Sequence, residues 1–211
     1  MPSCFDHAFV FTAAAAEVAA RMTRAGLCEG PANTHPGQGT ANRRFFFQGG
    51  MIELLYVADV EALTRPELAR TGLWPRSLFR ERDSCPIGVC ASEPPDAPES
   101  LAPAWDYRPP YLPPGAAIRM ADDAHDERRP LLFAVPPRTG GADVPRDPRS
   151  ISRIELTLPS LPSSYRYAAW LERLGVAVTL GAPSLLTVEL DRARTGAALD
   201  LRPAASLLLR W

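Results

Sequence analysis

The chain is 211 residues long, 46% apolar and 22% charged, with a formal net charge of -1. That balance suits a packed globular protein of one large domain or two small units, and it excludes disorder of the whole chain. It offers no basic excess for nucleic acid, and no apolar run approaches the roughly 20 residues of a membrane-spanning helix. The opening MPSCFDHAFVF has no cationic segment leading an apolar one, so no leader peptide and a cytoplasmic location are expected. Cys4, Cys28, Cys85 and Cys90 match neither a zinc ribbon nor a CxxC pair, and free thiols are expected of them. All 23 basic residues are arginine, which excludes Schiff-base chemistry on lysine.

Residues 4 to 11 alternate as a strand, with Phe5, His7, Phe9 and Phe11 on one face. Residues 13 to 26 favour a helix that Gly26 ends. A turn-rich loop over 28 to 41 leads to strands at 42 to 48 and 51 to 58, joined at Gly49-Gly50. Residues 60 to 83 hold helical pieces broken at Pro66 and Pro75. Many of the 23 prolines fall between 86 and 148, so this stretch is expected to be mostly irregular, with strands at 86 to 92 and 129 to 135 and a flexible linker over 136 to 149. Residues 150 to 158 alternate strictly, 163 to 174 read as a helix stopped by Gly175, and strands follow at 176 to 181, 185 to 191 and 198 to 202.

The order β, α, β, β therefore occurs twice, at the two ends of the chain. Phe5-Asp6-His7-Ala8 aligns in phase with Ile151-Ser152-Arg153-Ile154, and Ile52-Glu53-Leu54 with Leu199-Asp200-Leu201. The expected fold is α+β: modules 1 to 59 and 150 to 211, each βαβββ-like, pair into a curved mixed sheet around an open trough. Helices lie on the outer face, and the proline-rich segment 60 to 149 joins the modules.

Three groups of residues carry candidate chemistry. Glu53 lies mid-strand among apolar neighbours, where a carboxylate needs a partner, and His7 shares a strand face with aromatics. Imidazole plus carboxylate is half a shell for zinc, iron, manganese or nickel; a plain hydrogen-bonded pair is the simpler alternative. The loop from His35 to Arg44 offers His35, Thr40 and Asn42 as hydrogen-bonding groups and an arginine for an anion. Arg153, Glu155 and Asp200 line the same trough if the end modules pair; otherwise they are the polar face of a half-exposed sheet. Trp105, Tyr107, Arg108 and Tyr111 form an aromatic-basic cluster, either a wall over a ligand or an anchor for a loop. No Gly-x-Ser-x-Gly, HExxH, GxGxxG, P-loop or kinase signature is present.

FDHAFVF, HPGQGTANRRFFF and MIELLYV, in that order, resemble the glyoxalase-like domain family of the vicinal-oxygen-chelate superfamily, whose members pair βαβββ modules. The resemblance implies one metal ligand from the first and one from the last strand of each module. It gives His7 and Glu53 that role, with Asp200 a stand-in in the second module and Arg153 standing where a histidine is expected. It implies a metal-dependent lyase, isomerase or dioxygenase acting on a small oxygenated molecule, for which Glu53 or Glu155 is the expected proton carrier; the loop, trough face and aromatic cluster make His35, Thr40, Asn42, Arg44, Arg153 and Trp105 the expected substrate contacts. The alternative within the superfamily is a non-catalytic, sequestering binder with a degenerate metal site; a domain serving assembly alone stays open. The expected partner is a small-molecule ligand, with a homodimer left open.

Overall fold

The computed structural model describes residues 3–94, 97, 100–137 and 144–211. The first strand, β1 (Cys4–Phe11), is followed by α1 (Ala15–Arg24) and by β2 (Asn33–His35), β3 (Thr40–Phe47) and β4 (Gly50–Val57). Short helices α2 (Val60–Leu63) and α3 (Leu73–Ser77) flank a 3-10 turn at Pro66–Thr71. Then come β5 (Ile87–Ser92), β6 (Ala104–Tyr107), β7 (Ile118–Ala121), β8 (Leu131–Val135) and β9 (Ile151–Leu158), followed by α4 (Ala168–Arg173). The chain ends with β10 (Val176–Leu180), β11 (Leu185–Leu190), β12 (Ala198–Asp200) and β13 (Leu207–Arg210).

Eight strands form one curved mixed sheet in the order β2-β3-β4-β1-β5-β8-β7-β6. β1 runs parallel to β4, β5 parallel to β8, and the two pairs meet where β1 and β5 run antiparallel. The sheet is thus two like halves around its central strands. The paired-module architecture holds, but the partner differs from expectation. The half that joins residues 4 to 57 is 87 to 135, inside the proline-rich segment, and not 150 to 211. The reason lies in where the prolines fall. IGVCAS, AWDY, IRMA and LLFAV contain none, and every proline of this region sits in a connection, where a missing amide donor disturbs no ladder. Of the expected linker over 136 to 149, residues 138–143 lie outside the described residues.

Residues 151 to 210 make a separate five-stranded sheet, ordered β10-β9-β11-β13-β12. Its pairings, parallel, antiparallel, parallel, antiparallel, repeat those of β4-β1-β5-β8-β7 in the same chain order. Even the irregularity recurs. Asp6 is an extra residue bulged out between Phe5 and His7, and Ser152 is one between Ile151 and Arg153. The repeat legible between the first strands is therefore real, but it is a smaller copy stacked on the first sheet rather than the other half of it. The second expected alignment does not hold: β10 occupies the place of β4, and Asp200 lies on β12.

One apolar core joins the two sheets. Ala8, Val10, Phe45, Ile52 and Val89 of the large sheet meet α1, α4 and the buried side of the small sheet, Ile154, Leu156, Val188 and Leu209. Trp170 donates its indole N–H to the buried Glu93 carboxylate at 2.7 Å, and Tyr167 donates to the Pro103 carbonyl at 2.6 Å. Both bonds land on the crossover between β5 and β6, which carries no helix among the described residues. A second core covers the trough side, with Phe9, Leu55, Leu73, Leu131 and Phe133. The four cysteines are free. No helix among the described residues is long and apolar enough to cross a membrane.

Candidate functional site

The trough of the large sheet encloses a cavity of about 430 Å³. β1 turns His7 and Phe9 into it, β4 turns Glu53 and Leu55, β3 turns Arg44, and β8 turns Leu131 and Phe133. The Asp6 bulge decides this phase. It rotates Phe5 to the opposite side, against Gly50 and the outer core, and so corrects the expectation that Phe5 shares the face of His7. Gly88 opposite Phe9 admits the ring, because a Cβ there would lie 2.2 Å from it.

His7 and Glu53 are each about nine-tenths buried, with Nε2 and Oε2 3.9 Å apart. That is beyond hydrogen-bond reach. On its other side, His7 Nδ1 meets the Asp6 carboxylate at 2.5 Å. A carboxylate there fixes the proton on Nδ1 and aims Nε2 into the cavity, as outer carboxylates do for metal-binding histidines. Two ligand atoms on one tetrahedral zinc stand roughly 3.3 Å apart, so the gap suits a cation bridging His7 and Glu53. Asp6, His7 and Cys90 form a further group whose ligand atoms lie within 4.8 Å of one another, but Asp6 and Cys90 do not line the cavity. Among the described residues, β8 turns Phe133 and Leu131 into the cavity where a second pair of ligands would stand, and β5 contributes no lining residue. The residues present therefore fit a divalent cation on one half of the trough alone.

The loop expected to carry polar groups does reach the site. Gly39, at φ +78°, lies so close to the Asp59 carbonyl that a Cβ would sit 2.3 Å from it. Its own carbonyl accepts from Ala58 and Asp59. This pins the turn and delivers His35 and Gln38 to the cavity wall. Thr40 is buried beneath them, accepting from Gln38 Nε2 at 2.7 Å and bonded to His35 Nδ1 at 2.8 Å. Asn42 is buried, accepts from the Asn33 amide at 3.1 Å and does not line the cavity. Of the two arginines, Arg44 faces the cavity, with Nε on the Pro31 carbonyl, while Arg43 pairs with Glu29.

Burial holds the His35 imidazole below its ordinary value; the Glu53 carboxylate opposes this, and Arg44 and His7 add to it. A base whose folded-state pKa is lowered binds more protons when unfolded. Stability is therefore whole above the unfolded value of 6.5 and declines as pH falls below it. The drop in melting temperature between pH 7.5 and 5.5 should be smaller in His35→Asn than in the wild type. Equal drops would show that His35 does not titrate with folding.

Arg153, Glu155 and Asp200 are not at the site, and this corrects their expected roles. Arg153 and Glu155 pair with each other at 2.8 Å on the solvent side of the small sheet. Asp200 pairs with Arg202 at 2.6 Å on the surface, which pulls its carboxyl down to about 2. Trp105 does not line the cavity; Arg70 stacks on it at 4.4 Å. Its neighbours Tyr107 and Tyr111 do form cavity wall, and the Tyr111 hydroxyl donates to Gln38 Oε1 at 3.0 Å. Phe133, which meets the His7 ring edge to face at 5.4 Å, lies on the expected strand 129 to 135, but that strand belongs to the trough and not to a segment joining two modules.

Fold and site together define a paired-module protein with a cavity in the trough of its large sheet. A model of the glyoxalase-like domain family matches residues 5–90, from β1 through most of β5, so this part of the chain is glyoxalase-like. The crystal structure of a hypothetical protein from Staphylococcus aureus shares the fold over 99% of both chains, with 12% identity and a TM-score of 0.59. A hypothetical protein from Bacillus halodurans C-125 aligns with 68% of this chain and 100% of its own, at 13% identity; its TM-score of 0.45 is too loose to carry an argument. No curated protein matches the chain.

Proposed function

We propose that this protein binds a small oxygenated molecule in the trough, its oxygens against His7 and Glu53 and its body against Phe9, Leu55, Met120 and Leu131. One observation carries the reading. A buried imidazole and a buried carboxylate face each other at 3.9 Å in a cavity otherwise walled largely by apolar side chains. Charge buried in such surroundings is costly unless something answers it. Arg44 adds positive charge at the same end. Four free cysteines suit a reducing compartment, and a cytoplasmic location is part of the proposal.

The Asp6–His7 bond favours a second reading, in which His7 and Glu53 also hold zinc, iron, manganese or nickel. Such a cation would polarise two neighbouring ligand oxygens. Glu53 would then be the group placed to accept a proton. The absence of facing ligands on β5 and β8 puts binding ahead of catalysis.

Calorimetry with catechol, which has neighbouring hydroxyls, and with phenol, which has one, tests the proposal. The expected result is saturable binding with catechol preferred, and loss of the preference in Glu53→Gln. No saturable binding of either probe to the wild type overturns it. Repeating the titration with each cation separates the two readings. Stronger catechol binding that depends on His7 favours the metal, and an unchanged constant favours the plain pocket.

A further inference from the structure

The polar side chains of the cavity wall are gathered on one half of the sheet. Four neighbouring strands, in the order β2-β3-β4-β1, bring Asn33 and His35, then Arg44, then Glu53, then His7 to the wall. Beyond β1 the wall changes character. β5 gives it nothing, β8 gives Leu131, Phe133 and Val135, and β7 gives Ile118 and Met120. Tyr107, on the edge strand β6, lines the cavity with its hydroxyl oxygen buried. A ligand lying in the trough therefore meets charged and hydrogen-bonding groups at one end and hydrocarbon at the other.

The register of the polar half says what the polar end of the ligand must offer. Arg44 and Glu53 are direct cross-strand partners, and both line the cavity. Side chains in such a pair leave the sheet about 5 Å apart, within the span of one small head group. Arg44 is only half-buried, and the Pro31 carbonyl holds its Nε. Its charge is felt inside the cavity. Burial is the main cause that lowers the His35 pKa, and the Glu53 carboxylate and the Arg44 guanidinium then act on the same imidazole in opposite directions. An ionised carboxylate only accepts hydrogen bonds, and a guanidinium only donates them. A molecule that answers both must bring a donor to Glu53 and an acceptor to Arg44. The acceptor that best fits a planar cation is a carboxylate, which matches it in charge and in its two-pronged geometry.

We propose that the ligand is a hydroxy-carboxylate on an apolar body, its hydroxyl donating to Glu53 beside His7, its carboxylate on Arg44, and its body against Phe133, Leu131, Ile118 and Met120. Arg44 is thereby the residue that selects an acid over a neutral molecule. The inference rests on the trough-binding reading above and names the class of molecule bound there.

Calorimetry with three probes tests it. 3-Hydroxybenzoate carries both groups, placed too far apart on the ring to bond to each other. 3-Hydroxybenzamide replaces the carboxylate by a neutral group of like shape, and benzoate lacks the hydroxyl. The wild type should bind 3-hydroxybenzoate about tenfold more tightly than the amide, the scale of one hydrogen bond to a charged group, and more tightly than benzoate. Arg44→Gln should bring the preference for acid over amide to within about twofold. Arg44→Lys should keep part of it, because the charge stays and the fork is lost. Equal binding of acid and amide by the wild type, or a preference that survives in Arg44→Gln, overturns the inference. So does benzoate bound as tightly as 3-hydroxybenzoate, or 3-hydroxybenzoate left unbound where catechol binds. In each of these cases saturable catechol binding leaves the trough reading standing. If none of the probes binds and catechol does not either, the trough reading fails and takes this inference with it.

Discussion

Phe133→His should bind zinc about 100-fold more tightly than the wild type, the upper end of what even an outer-shell partner carries. His7 and Glu53 would supply two ligands from one half of the sheet, and at the facing position of the other half stands a phenyl ring. Its centroid lies 5.4 Å from that of His7. Two imidazoles on a tetrahedral zinc have centroids about 5 Å apart, so a histidine at 133 meets a cation already held by His7 with little movement of the backbone. The third ligand would convert a half shell into the three-ligand set typical of open zinc sites. Adding His7→Ala to the variant should abolish the gain. Competition titration against a chromophoric chelator measures it, and an affinity within threefold of the wild type would show that β8 does not face the ion position. Histidine fills less of the buried site than phenylalanine, so a cost of about 1–2 kcal/mol in stability is expected alongside.

Arg76→Met should destabilise the protein by about 4 kcal/mol, the sum of a few lost charge-assisted bonds and the carbonyls they leave unanswered. Arg76 is fully buried on α3. Its Nη1 donates to the Gly72 and Ala124 carbonyls at 2.9 and 2.7 Å, and its Nη2 to those of Asp126 and Arg129 at 2.8 and 3.1 Å. Burial draws its pKa down, but a guanidinium remains charged in a protein, and here its positive charge is answered by carbonyl dipoles and the acidic turn around them. Methionine keeps an unbranched apolar stem and none of the donors. The loss reaches the site, because the bonds tie the segment that supplies cavity-lining Leu73 to the turn before β8. Urea unfolding measures the change, and a loss below 1 kcal/mol would mean that water replaces the guanidinium.

The local features of the site were legible in the sequence. Alternation over residues 4 to 11 placed His7 on a strand face, the apolar run after Gly49-Gly50 placed Glu53 mid-strand, and the glycines between His35 and Thr40 marked the turn that carries polar groups to the wall. The phase matched between Phe5-Asp6-His7 and Ile151-Ser152-Arg153 also survives, down to the bulge. Period-two patterning reports which residues share a face, and glycine reports where the backbone needs room; both are properties of a short segment.

Which strands become neighbours is another kind of information, and only the tertiary structure decided it. Segments 87 to 135 and 151 to 210 offer the same strand grammar, and either could have closed the trough. The count of prolines argued against the first, while their positions, all in connections, permitted it. β6 and β7, at four residues each, are too short for periodicity to register. Arg153, Glu155 and Asp200 therefore stand in solvent on the smaller sheet, and the trough is completed by Phe133 and Tyr107. Neither residue carries a motif. Phe133 comes to the site by facing His7 across β5 and Tyr107 by its place on the edge strand β6, and contacts between residues distant in sequence are set by packing rather than by any local pattern.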